Sequence, residues 1–302
     1  MQKAVNFFQL ALAKDKNYAT AYAGLADTYS LLGFYGYLPP MDVMPRAKEA
    51  ALRALEIDEN LAEAHCALGY VHTIFDWEWE KAKKEFQRAL ELNPSYVPAR
   101  YWYSVLLWFM GRIEEAIAEV RHGLETDPLS VYAHVQLGAV LLSAEKYDQA
   151  TEQLLQALEL EPDFYSASAF LGIAYYFQSR VDDAICEIQK AIDISDRNQW
   201  PVAYLGWVYA AIGDRTRADE ILVELEGRSQ KEHIHAYWIA GIYALLDEKD
   251  EAFDWLEKAF NERAPTMGLN ALKTYPGWVY NNLRDDSRFQ DLLRRHGLFN
   301  RE

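Results

Sequence analysis

Residues 131–162 read VYAHVQLGAVLLSAEKYDQATEQLLQALELEP. Apolar side chains return at helical spacing in two blocks, about Val131 to Ala144 and about Gln149 to Glu159. The polar turn Glu145-Lys146-Tyr147-Asp148 parts them. Gly138 in the first block faces Ala150 in the second, and small residues there let two helices pack closely as an antiparallel hairpin. Ala157 sits where the next helix must approach. Pro162 ends the second helix, because proline lacks the donor N–H and clashes with the preceding turn.

The same chemistry recurs on both sides. Alanines stand at Ala82, Ala116, Ala150, Ala184, Ala218 and Ala252, a constant step of 34. In phase with them run Tyr103, Leu137, Leu171, Leu205 and Ile239, and the small residues Ser104, Gly138, Gly172, Gly206 and Ala240. Pro94, Pro128 and Pro162 keep the step as well. One hairpin cannot bury both its faces, so each unit needs neighbours. Seven full units start near Ala19, Leu61, Val97, Val131, Tyr165, Gln199 and His233, filling residues 17–265. Unit one carries extra residues, Phe34-Tyr35-Gly36-Tyr37-Leu38-Pro39-Pro40-Met41, whose glycine and prolines predict a loop. Unit two carries one extra residue around Asp76-Trp77-Glu78-Trp79. Residues 1–16 match a second helix without its first: Ala4, Phe8 and Ala11 share the phase of Ala150, Leu154 and Ala157. From this the chain is expected to be a fragment of a longer protein. Residues 266–302 leave the repeat. Ser287-Arg288-Phe289-Gln290 predicts a capping box opening a helix with Phe289, Leu292 and Leu293, stopped by Gly297.

These series resemble the tetratricopeptide-repeat (TPR) family, whose unit length matches the step. The resemblance implies an all-α, right-handed α-α superhelical solenoid. First helices would line its concave side and second helices its convex side. It also implies a protein- or peptide-binding scaffold. A narrower resemblance rests on Phe75-Asp76-Trp77-Glu78-Trp79, Glu85-Phe86-Gln87-Arg88-Ala89-Leu90 and Leu283-Arg284-Asp285-Asp286-Ser287-Arg288-Phe289. It is to the C-terminal TPR region of bacterial multidomain signalling and regulatory proteins, and implies a docking or sensory role beside an output domain.

Composition narrows the partners. Net charge is −16, from 46 acidic and 30 basic residues, which disfavours nucleic acid and anionic membrane surfaces. No apolar run is long enough to cross a bilayer, and Met1-Gln2-Lys3-Ala4-Val5 opens straight into an amphipathic stretch. A soluble, cytoplasmic setting is expected. Cys66 and Cys186 form no motif and are expected as buried thiols. No phosphate-binding glycine loop, His-Glu-x-x-His or Cys-x-x-Cys occurs, so no enzyme, cofactor or metal site is expected. His65 and His72 fall at packing positions, while His233 and His235 are expected at the surface on different faces of a helix.

By repeat phase the concave positions carry Tyr70, Tyr101, Trp108, Phe109, Tyr132, Tyr176, Phe177, Trp200, Trp207 and Tyr237. Exposed aromatics ask for a cover, and Tyr and Trp are frequent binding hot spots. These ten are therefore expected to line a groove for an extended or helical peptide. Chaperone-tail-binding TPR proteins resemble one another in a basic and Asn clamp. Here those positions hold Ala23, Asp27, Val135 and Ala139, so that ligand is not expected. A second expectation is self-association, with Phe7, Phe8 and Leu12 of the orphan helix docking on another copy as a homodimer or end-to-end array.

Overall fold

The computed structural model describes residues 1–264 and 277–296. Among these there are α-helices and no strand: α1 (Gln2–Lys14), α2 (Ala19–Phe34), α3 (Pro40–Ile57), α4 (Ala62–Val71), α5 (Trp79–Leu92), α6 (Val97–Phe109), α7 (Ile113–Thr126) and α8 (Val131–Ser143). There follow α9 (Tyr147–Leu160), α10 (Tyr165–Phe177), α11 (Val181–Ile194), α12 (Gln199–Ala211), α13 (Arg215–Ser229), α14 (Ala236–Leu245), α15 (Lys249–Asn261) and α16 (Ser287–Arg295). Helices α2 to α15 pair as seven consecutive hairpins, each packed on the next. Successive first helices touch one another from α4 through α14, whereas successive second helices do not pack so closely. The solenoid therefore curls with its first helices inward. No helix among the described residues is long and apolar enough to cross a membrane.

The small-residue rows do what their chemistry requires. A Cβ added at Gly138 would lie 2.7 Å from Leu154 Cγ, so it is Leu154 that rests on the bare backbone there. At Gly172 it would lie 2.9 Å from the Ala184 carbonyl oxygen, leaving no room for any side chain. Ala150, Ala184, Ala218 and Ala252 are fully buried in the same seam.

The hairpin turns form a row absent from the sequence series. Trp77, Gly111, Glu145, Ser179, Gly213 and Asp247 all take a left-handed backbone, with φ between 57° and 81°. The next residue's N–H then closes the first helix by bonding a carbonyl five residues back, or six back after Trp77, where Glu78 N–H reaches His72 O. Examples are Arg112 N–H to Leu107 O at 2.9 Å, Lys146 to Leu141 at 2.9 Å and Arg180 to Tyr175 at 2.8 Å. Only two of these six positions are glycine, so the others carry backbone strain that the packed hairpin must offset.

The extra residue of unit two is absorbed as a π-helical turn, His72–Asp76, after α4. It pushes Trp77 outward from the hairpin toward the far end of the chain. There Trp77 lies 5.2 Å from Phe260 and 4.0 Å from the His296 ring, with the Arg263 guanidinium over its ring at 4.0 Å. Arg263 also donates to the Phe75 carbonyl at 3.4 Å. Unit two thus clasps unit seven and α16, and the array closes on itself.

Several expectations need correction. The seventh first helix starts at Ala236, not near His233, because residues 230–235 cross between helices. Helix α16 does start at Ser287, but Asp286 is its cap, accepting from the Arg288 N–H, rather than Ser287. Cys186 is exposed while Cys66 is buried. Gly297, and much of the cap expected over 266–302, lie outside the described residues; Phe289, Leu292 and Leu293 are buried as expected.

Candidate functional site

The inner wall is built from the first helices of units three to seven, and its occupant is the chain itself. The α2–α3 loop, Tyr35–Pro39, folds across it. The Phe34 carbonyl accepts a hydrogen bond from His235 Nε2 at 3.3 Å, joining residues 201 apart in sequence. Phe34 sets its ring edge-on to Tyr70 and Trp102, at 6.2 and 5.7 Å. Gly36, at φ +71°, comes so close to the Gln199 amide that a Cβ there would collide with it. Gln199 is itself held by two bonds, accepting from the His235 N–H at 2.7 Å and donating to the His233 carbonyl at 3.2 Å. Tyr35 sits among Tyr101, Tyr132 and Tyr165, and burial pushes its phenol well above the ordinary value.

His235 was expected at the surface and is instead 2% exposed. It precedes α14, and its Nδ1 accepts from His233 Nε2 at 3.2 Å while its Nε2–H serves Phe34. The two rings therefore touch rather than point apart. Desolvation, then the neighbouring His233, hold His235 neutral with a pKa lowered to about 3.

Half of the expected groove aromatics are buried rather than exposed, namely Tyr70, Trp108, Phe109, Trp207 and Tyr237, although Trp108 and Tyr237 still line the two cavities at the loop. The cause is packing between units for Tyr70, Trp108 and Trp207, and packing on the adjacent ring of the same helix for Phe109 and Tyr237. Trp108 Nε1 donates to Ser143 Oγ of the following unit at 2.7 Å, and Trp207 Nε1 donates to the Trp238 carbonyl at 3.1 Å. Phe109 lies 6.0 Å from Trp108, Tyr70 packs on Trp102 at 4.3 Å, and Tyr237 on Trp238 at 4.2 Å. Tyr176 stacks on Trp278 at 5.2 Å and Phe177 meets it edge-on at 5.6 Å, so the Gly277–Leu283 turn covers both in part. Tyr101 and Trp200 stay half-buried, and Tyr132 is 58% exposed. These three, with Phe34, Tyr35, Phe164 and Phe170, line a cavity of about 40 Å³ between loop and wall. A second cavity of about 20 Å³ lies against Trp200, His235 and Trp238. Neither Trp200 Nε1, Trp238 Nε1 nor Tyr70 OH has a hydrogen-bond partner, although all three atoms are buried.

The orphan helix is corrected in part. Phe8 and Leu12 pack with Val5 on α2, where the bare Gly24 receives the Phe8 ring. Phe7 is 69% exposed, and Leu10, which sequence phase did not single out, is 61% exposed on the same side.

Among the described residues one group has the makings of a metal site: His72, Asp76 and Glu78. His72 Nδ1 lies 2.7 Å from Asp76 Oδ2 and 3.3 Å from Glu78 Oε2. The Lys48 ammonium already sits 2.7 Å from the same Asp76 oxygen, so a cation occupies the place an ion would take. The cluster pins the π-turn that presents Trp77. The half-buried His65 bonds Glu85 at 2.6 Å across its hairpin, as Arg100 does Glu119 and His134 does Gln153 in the next two units.

The sequence matches models described as Tetratricopeptide repeat over residues 78–137 and again over 135–199. It is 29% identical over 117 residues, 39% of this chain, to the transcriptional regulator HilA of Salmonella typhimurium; the match spans 21% of that protein's length. It is 39% identical over 69 residues, 23% of this chain and 8% of the other, to the human protein O-mannosyl-transferase TMTC3. Among solved structures, a human IFIT1 dimer with PPP-AAAA superposes with TM-score 0.67 at 16% identity, over 98% of this chain and 67% of that one. A tetratricopeptide repeat protein from Parabacteroides merdae superposes with TM-score 0.58 at 15% identity, over 90% and 99%. Repeat phase, hairpin stacking and these matches agree: residues 78–199 carry tetratricopeptide repeats, and the chain has the superhelical fold of tetratricopeptide-repeat structures.

Proposed function

We propose that this chain is a non-catalytic docking scaffold. It receives a protein segment on its inner wall, at Tyr101, Tyr132 and Trp200, with Tyr176 and Phe177 at the flank. The observation that carries this is the half-open aromatic wall, with Tyr132 58% exposed and Tyr101 and Trp200 half-buried; beside it Trp200 Nε1 and Trp238 Nε1 are buried without an acceptor, as Trp77, Trp79 and Trp278 Nε1 are elsewhere. Buried polar groups are rarely left so, and an extended peptide brings backbone carbonyls to such donors. The net charge of −16 favours a protein over a nucleic-acid guest. The likeness to a transcriptional regulator supports a docking or sensory role beside an output domain in a cytoplasmic bacterial protein.

A photo-crosslinking amino acid at position 132, compared with one at the 72%-exposed Val223 on second helix α13, tests the site. A discrete protein adduct from position 132 alone is expected. Equal labelling from both positions, or none from 132, removes the inner wall as the docking face.

A second reading is self-association through α1, favoured by Phe7 and Leu10, exposed three residues apart on one helix face. Light scattering over a concentration series gives a rising mass if this holds. A constant monomer mass dismisses it.

A further inference from the structure

The α2–α3 loop lies where a guest is expected, and it fits imperfectly. Natural interiors are packed with few voids. Here cavities of about 40 and 20 Å³ remain between loop and wall. Tyr37 at the loop's crest is 56% exposed, so only part of the loop is gripped. The grip has two elements, an aromatic ring among the wall's tyrosines and a main-chain carbonyl on His235. Resting on the docking role argued above, we propose that this loop is an internal stand-in for the partner: the inner wall takes an aromatic, tyrosine-bearing segment of another protein, and the loop leaves when that segment binds. The partner's ring replaces Tyr35 beside Tyr101 and Tyr132. Its carbonyls replace that of Phe34 and reach the unspent indole donors of Trp200 and Trp238. The lining is neutral and aromatic, with Gln136 and Ser166 as its polar members, so an aromatic side chain suits it better than a charged one.

A receptor that is open only part of the time binds with an affinity lowered by that fraction. The test uses the full chain with Tyr35–Leu38 replaced by Gly-Ser-Gly-Ser. The probe is a fluorescent peptide of residues 33–40, GFYGYLPP, with a scrambled control. The replaced chain is expected to bind the probe at least about tenfold more tightly than the intact chain. Tyr132→Ala in the replaced chain is expected to abolish that gain. A folded, loop-replaced chain that ignores the probe, or an intact chain that binds it equally well, overturns the proposal. Should the replacement unfold the array, Tyr35→Ser takes its place: gained probe binding supports the stand-in role, and its absence sinks it. The crosslinking test at position 132 reads partner capture without the probe. Capture there together with failure here retires only the stand-in loop.

Discussion

Lowering the pH from 7 to 5 should loosen the closed array, and two histidines set the size of the effect. His235 and His296 are each 2% exposed and stand at the two contacts that join the ends of the solenoid. His235 faces His233, Gln199 and the Phe34 carbonyl. His296 faces Trp77 and Phe260, with Arg263 and Arg295 as its charged neighbours. Burial foremost, then His233 beside His235 and the Arg263 and Arg295 guanidinium groups beside His296, lower both pKa values to about 3. In an unfolded chain histidine titrates near 6.5. The folded values are depressed, so the neutral rings favour the closed state fully above about pH 6.5. That contribution falls as pH drops from there toward 3. At pH 5 each ring has given up about 2 kcal/mol, or about 4 kcal/mol for the pair. His65 acts with the opposite sign, because its hydrogen bond to Glu85 raises its pKa, and comparison of variants cancels it. Urea unfolding followed by circular dichroism at pH 7 and pH 5 measures the change. The variant His235→Gln/His296→Phe should lose most of it. An identical pH dependence in both proteins would refute closure through neutral histidines.

Replacing the strained Glu145 by Gly should raise stability by about 0.5–1 kcal/mol, whereas Gly111→Ala should lower it by a similar amount. Thermal melts with opposite shifts are expected; shifts of the same sign contradict the left-handed turn. Gly172→Ala should cost about 1–3 kcal/mol by denaturant midpoint, because its Cβ meets the Ala184 carbonyl, and a neutral result would mean the hairpin is looser than described. Asp286→Ala should cost about 1 kcal/mol and Ser287→Ala almost nothing; the reverse order would restore Ser287 as the cap. Trp77→Ala should cost about 3–5 kcal/mol and speed hydrogen exchange in α16 while leaving α8 to α11 protected; unchanged exchange in α16 speaks against the clasp.

The fold was legible because a step of 34 residues fixes local pairings, and each hairpin needs only its neighbours. The start of α8 and the burial of the row Ala82 to Ala252 follow from that alone. Ring closure was not legible. Its contacts, Phe34 with His235 and Phe75 with Arg263, span 201 and 188 residues and repeat nowhere. That is also why His235 read as a surface residue: what covers it comes from the other end of the chain. Groove residues were half legible for a different reason. Repeat phase names the residues that face inward, but not how far the next unit slides over them. Trp108 and Trp207 spend their indole N–H on that neighbour, while Tyr132 stays in the open. The turn row Trp77, Gly111, Glu145, Ser179, Gly213 and Asp247 was present in the sequence at constant step, but with only two glycines it carried no compositional signal.

Mapping what position 35 touches in solution bears most directly on a solenoid whose inner wall is filled by its own first loop. A photo-crosslinker replacing Tyr35, followed by peptide mass mapping of the monomer, should join the loop to α6, α8 and α10, where Tyr101, Tyr132 and Tyr165 stand. Adducts confined to α2 and α3 would mean that the loop stays with its own hairpin and the wall lies open.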